Sequence, residues 1–263
     1  MDITLVKKLR ADTGLSIKDC TKAAKETESY DEAIFYLRQR NKDLQDKRAN
    51  NDLNAGATAT FSDHAGATII LLGSETDFVS GNEEFKKEAH DLCMRIHEAH
   101  FSGNYTEEEL NENITDIAGR FRENVKLVDT KHLVNSQSER VQTYNHGNIA
   151  VAVVGTGSDE DLRKVAMHIA ASSPLPRAIT ADGLDSDFLA QEKKLVEGSE
   201  DVQSKPENIR EKIVAGKMNK VYKNYCLLDQ EMLTSGDDAK QTVGKWASAN
   251  NVSITEFVLV SMK

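Results

Sequence analysis

Through residues 1–42 the apolar positions recur every three or four residues. Leu5, Val6 and Leu9 form a first stripe, stopped at Thr13-Gly14. Ile17, Cys20, Ala23 and Ala24 form a second behind Ser16, with Asp19 three residues on as in a capping box. Ala33, Ile34 and Leu37 form a third behind Asp31. The pattern predicts a compact module of three helices, the first capped by Thr4. The stretch RNKDLQDKRANND that follows has too little apolar content for a core, so residues 43–54 read as a linker.

From Leu53 the period shortens. NAGATATF and GATIILLG read as paired strands around the turn cluster SDHAG, and VKLVDTKHLV, VQTY and NIAVAVVG as further strands. Between them lie a helix carrying Ala89, Leu92, Cys93 and Ile96, and a helix opening on Thr106 with three glutamates at its positive end. A later helix carries Leu162, Val165, Ala166, Ile169 and Ala170. Residues 185–225 read as an antiparallel helical hairpin with a polar tip, whose narrow apolar stripes suit self-packing or weak dimerisation. The chain then closes with a short helix and a strand, Ile254 to Val260.

These segments repeat. HAGATIILL and NHGNIAVAVV are each a turn glycine followed by an apolar strand, and each leads to a helix with a methionine near its middle. The first copy carries about eight extra residues between strand and helix, which is the length of SETDFVSG, Ser74 to Gly81. The second copy closes without such a segment, so the insert reads as an interaction loop holding Phe78 and Asp77. The alternative is that Phe78 folds back as a lid on the core of its own repeat.

Composition narrows the chemistry. With 33 basic and 43 acidic residues the formal charge is −10, which disfavours a direct nucleic-acid partner. Three scattered cysteines, Cys20, Cys93 and Cys226, argue for a reducing compartment and against a zinc module or disulfide scaffold. No apolar run is long enough for a signal peptide or membrane span, so the expected location is cytoplasmic. VVGTGSDEDL follows a strand as a dinucleotide fingerprint would. Glu160, however, stands where the third glycine belongs and would repel a pyrophosphate. His90, His97 and His100 can share a helix face, without any ligand-pair spacing that would mark a metal site. No nucleophile-and-base set is visible, so neither an enzyme nor a bound cofactor is expected.

Taken in order, the motifs resemble the elongation factor Ts family over nearly the whole chain. VKKLRADTGLSIKDCTKAAKE with YDEAIFYLR is similar to its ubiquitin-associated-type module; ETDFV with NEEF and VAMHIAASSP are similar to its two signatures. HGNIAVAVV, KPENIREKIVAGKMNK and CLLDQEML add matches in the same order. The resemblance implies an α+β fold. In it the three-helix module precedes a core of two related α/β subdomains with small antiparallel sheets, at 55–140 and 141–263, the second carrying the hairpin. It implies elongation factor Tu, with or without GDP, as partner. It also implies that Thr76, Asp77, Phe78 and Val79 intrude beside that partner's nucleotide, displacing magnesium and loosening the phosphate loop. His146 of the HG pair, and Leu15, Ile17, Cys20 and Lys22 of the module, are the further contacts it implies. A protein-binding scaffold that uses only its helical module is the competing reading.

Overall fold

The computed structural model describes residues 2–136, 138–233 and 241–262. Three helices open the chain: α1 (Ile3–Thr13), α2 (Ile17–Glu26) and α3 (Tyr30–Arg48). Their caps fall close to the expected places, shifted by the local hydrogen bonds. Asp2, not Thr4, caps α1, because its carboxylate accepts the amides of Thr4 at 2.8 Å and Leu5 at 3.3 Å. Ser16 caps α2 from the amide of Asp19, and Ser29 rather than Asp31 caps α3. The three stripes meet in a core of Val6, Leu9, Leu15, Cys20, Ala23, Ala33 and Leu37.

Helix α3 does not stop at residue 42. It runs through the first part of the stretch expected as linker, to Arg48, and packs on α6 (Glu107–Phe121). The close approach is set by Gly119: a Cβ there would lie 2.4 Å from the Asn41 side chain. The residues that hold α3 there are polar, which is why the apolar pattern ends before the helix does.

Strands β1 (Ala55–Ser62) and β2 (Gly66–Ser74) pair antiparallel, from Ala55 opposite Ser74 to Ser62 opposite Ala67. With β3 (Lys126–Val134) they form a sheet in the order β1-β2-β3. As the central strand, β2 is buried along its whole length. A single turn, α4 (Asp77–Ser80), precedes α5 (Glu83–Ser102). Helix α5 lays Phe85, Ala89, Leu92, Cys93 and Ile96 against Ala57, Ala59, Ile70 and Leu72 of the sheet. Thr106 and Glu109 close a capping box at the start of α6.

Residues 1–132, with 145–150 and 259–263, cluster as one compact unit, and 133–144 with 151–258 as a second. Strands β4 (Arg140–His146), β5 (Ile149–Thr156) and β6 (Ser253–Ser261) form a sheet in the order β4-β5-β6. Helix α7 (Asp159–Ala171) follows β5, the hairpin comprises α8 (Ser186–Gly198), α9 (Glu200–Gln203) and α10 (Glu207–Tyr225), and α11 (Val243–Ala249) precedes β6. Gly155 is glycine for packing, not for phosphate: a Cβ there would lie 2.0 Å from the Ser253 carbonyl oxygen of β6. The architecture is α+β with helices leading it, as expected.

Candidate functional site

Residues 75–82 lie between β2 and α5, whereas only 157 and 158 separate β5 from α7. The extra segment is where the repeat places it, but it is not a loop. Thr76 takes an extended backbone and its hydroxyl accepts the amide of Val79, so Asp77–Ser80 close one helical turn. Gly81 ends the turn where a side chain has no room, since a Cβ would lie 2.9 Å from the Asp77 carbonyl oxygen.

The turn faces two ways. Val79 packs against the cluster formed by α5, α6 and the first sheet. Phe78, 86% exposed, points out of the molecule, and Asp77 beside it is exposed. Phe78 is therefore not a lid on its own core. An exposed phenylalanine on an otherwise fastened turn is a large apolar surface in water, of the kind that fills a partner's pocket.

The fastening comes from the segment that follows α6. Glu123 accepts the Thr76 amide at 3.0 Å and the Thr76 hydroxyl at 2.5 Å. In return Glu75 accepts the amide of Asn124 at 2.5 Å, Asn51 Nδ2 at 3.0 Å and Arg48 Nη1 at 3.3 Å. Burial pushes the Glu75 carboxyl up, but the Asn124 amide, Asn51 and Arg48 outweigh it and hold the group below its ordinary value. Asn124 is fully buried and ties back to the Asn51 carbonyl at 2.7 Å. Arg122, at φ 59°, turns the chain out of α6 and reaches Ser16 and Asp19 of the helical module at 2.8 and 2.7 Å.

The other expected contacts divide. Ile17 is 57% exposed and Lys22 is exposed, so both present side chains outward from α2. Leu15 and Cys20 do not: both belong to the module's core, the Cys20 thiol directed at the Leu15 carbonyl at 3.8 Å. In this structure their side chains fill the module's interior, Leu15 5% exposed and Cys20 fully buried. His146 is exposed at the end of β4, ahead of Gly147 at φ 61°. The neighbouring Asn145 exchanges two hydrogen bonds with Thr58 of β1, which fixes the start of that turn. Sequence reading missed Phe35, exposed on α3 off the module's apolar stripe, and the Arg122-Glu123-Asn124 segment. A short polar run between helix and strand carries no periodic signal.

The cysteines are poor nucleophiles. All three are buried, and burial pushes the Cys93 thiol up to about 12. Among the described residues no three His, Cys, Asp or Glu side chains converge as a metal site, and no helix is long and apolar enough to cross a membrane.

Comparison with known proteins places these features in a family. The sequence model of the family described as elongation factor TS matches residues 75–263. Proteins named elongation factor Ts from Leuconostoc mesenteroides and Hydrogenovibrio crunogenus are each 34% identical, over 96% and 97% of this chain and 89% of their own length. One of that name from Mycoplasmoides gallisepticum is 29% identical over 97% of this chain and 90% of its own length.

Proposed function

The chain belongs to the elongation factor Ts family of translation elongation factors, and from that premise we propose that it binds elongation factor Tu carrying GDP and promotes release of the nucleotide. The observation that carries this reading is Phe78: exposed, next to Asp77, on a turn whose remaining residues are tied down.

Exchange works by linkage. A factor that binds the empty partner more tightly than the loaded one lowers the nucleotide's affinity by the same ratio, whereas equal affinity for both shifts nothing. Phe78 supplies the difference if its pocket opens only when the elements beside the nucleotide move apart. Asp77 brings a carboxylate to the same edge, where it disturbs the magnesium shell and loosens the phosphate loop. His146, Ile17 and Lys22 are further contacts, and Thr76 and Val79 act by shaping the turn. On this reading the protein makes no covalent bond, carries no cofactor, works in the cytoplasm and contacts no nucleic acid.

The test is release of fluorescently labelled GDP from elongation factor Tu in stopped flow. Truncating an aromatic anchor typically costs about 2 kcal/mol or more, so Phe78→Ala should slow catalysed release at least roughly tenfold. A full rate in that variant overturns the reading. Retained binding with no effect of Phe78 on release would favour the scaffold alternative.

A further inference from the structure

Glu123 and the turn that carries Phe78 are 47 residues apart in sequence when measured to Thr76, yet Thr76 gives Glu123 both of its donors. A threonine hydroxyl has one proton and two lone pairs. With the proton spent on Glu123, an oxygen lone pair is left for the Val79 amide at 3.4 Å, the bond that starts the helical turn. The same threonine's carbonyl oxygen accepts the Ser74 hydroxyl at 3.1 Å and the Ser80 amide at 3.3 Å. Every polar atom of Thr76 is therefore engaged, and Glu123 sets the direction of the hydroxyl. Without the carboxylate the hydroxyl is free to rotate and the turn loses its cap.

We infer that Glu123 is a positioning residue for the proposed exchange activity: it holds Thr76 so that Phe78 is presented in one orientation rather than sampled among many. The inference rests on the Phe78 reading above for its functional consequence, but not for its structural one. Ordering an exposed aromatic before it meets a pocket removes a cost that binding would otherwise bear. Glu123 itself need touch no partner. On that Phe78 reading the ring meets its pocket only as the elements beside the nucleotide move apart, so the saving falls on the release step. It should appear in how fast a bound complex loses GDP more than in how much factor half-saturates the partner.

Two readouts decide this. In the free protein, amide hydrogen exchange at Ser80 and Gly81, which bond back to Thr76 and Asp77, should rise roughly tenfold in Glu123→Ala while amides in the middle of α5 keep their protection. In stopped flow with elongation factor Tu, the same variant should lower the maximal GDP-release rate roughly tenfold with a much smaller change in the half-saturating concentration. Glu123→Gln, whose amide oxygen still accepts the Thr76 amide but whose nitrogen cannot take the hydroxyl proton, should fall between. Glu123→Gln carries the test alone should Glu123→Ala fold poorly. Unchanged protection at Ser80 and Gly81 in the folded Glu123 variant overturns the inference. If Phe78→Ala leaves release untouched while Glu123→Ala still deprotects the turn, the exchange reading fails and the positioning role stands as a structural one.

Discussion

Arg122 Nη2 lies 2.7 Å from Asp19 Oδ2, joining the residue after α6 to the second helix of the chain across 103 positions. Arg40 approaches the other oxygen of the same carboxylate at 2.8 Å. Asp19 is 8% exposed, so its charge is compensated almost entirely by these two guanidiniums and the Ser16 hydroxyl. Burial pushes its pKa up; Ser16, Arg122 and Arg40 more than reverse that and hold it below the ordinary aspartate value. The helical module is thus bound to the first sheet subdomain by charge as well as by the packing of α3 on α6.

Removing Asp19 should cost more than removing either arginine. Asp19→Ala leaves Arg40, about a third exposed, and Arg122, about half exposed, without their shared carboxylate, for a loss of about 2 kcal/mol after screening by solvent. Arg122 is half exposed, so Arg122→Ala should cost about 1 kcal/mol or less. Urea denaturation of the variants checks the order. Because its folded pKa is depressed, Asp19 stabilises above the unfolded value near 4, and that contribution fades as pH falls below it. A truncation after residue 42 cuts within α3 and should lower the melting temperature by roughly 5 °C or more, through loss of these contacts. An unchanged melting temperature would show that module and sheet subdomain fold independently.

The two phenylalanines around the turn should behave oppositely. Phe78 buries almost nothing, so Phe78→Ala should change stability by no more than about 0.5 kcal/mol. Phe85 is fully buried and packs edge-to-face on Phe121 at 5.1 Å between centroids. Phe85→Ala should cost about 3–5 kcal/mol. Thermal melts of both variants, beside their GDP-release rates, separate surface from core. A large destabilisation by Phe78→Ala would mean that the turn supports the fold.

What was legible in the sequence was whatever apolar period encodes. The stripe from Ala89 to Ile96 gave α5, the uninterrupted run of β2 gave a buried strand, and comparing the two repeats located the extra segment before α5. What was not legible is polar. Asn41, Gln45 and Arg48 carry α3 onward by contacts to Gly119, Val125 and Glu75, which no hydrophobic pattern can register. Leu15 and Cys20 illustrate the other limit. A family resemblance implies a segment, while burial in the three-helix core decides which of its side chains face outward. The clamp of Glu123 on Thr76 joins two short polar stretches far apart in sequence, and neither stretch looks unusual alone.

Acid should weaken the first unit well above the range in which Asp19 titrates. His132 stacks on His100 with centroids 3.8 Å apart, and its Nδ1 lies 2.9 Å from Thr68 Oγ1, which also meets His97 Nδ1 at 3.0 Å. Burial, then the nearby His100 and His97, lower the His132 pKa to about 4 from 6.5. The unfolded chain therefore takes up this proton first as pH falls. Stability should be full above about 6.5 and decline by about 2 kcal/mol on approach to pH 4. Urea melts at pH 7 and pH 5 should show the loss, and His132→Gln should remove most of the difference. An equal pH dependence in that variant would assign the effect to other groups.

The hairpin tip reads as polar in the sequence, yet one of its residues is buried. Val202 of α9 is 2% exposed, at one end of a groove of about 780 Å³ lined by Leu189, Ala190, Val214, Met218 and Tyr222. Lys217 meets Asp201 at 3.0 Å and Ser199 at 3.1 Å, and Gln203 donates to the Glu197 carbonyl at 2.7 Å. The tip therefore pins the two arms together. Replacing Glu200–Ser204 with glycines removes Val202 and these bonds, so amide exchange along α8 and α10 should quicken. If Phe78 carries the exchange activity, the rate of GDP release should nonetheless stay within about twofold. Val202→Ser should reproduce the loosening at lower cost to the backbone. Leu195, 68% exposed on α8, is the residue to charge in a test of weak dimerisation, with Leu195→Glu abolishing any dimer seen by sedimentation. A large fall in GDP release on changing the tip, with α8 and α10 still protected, would instead place the tip itself against the partner.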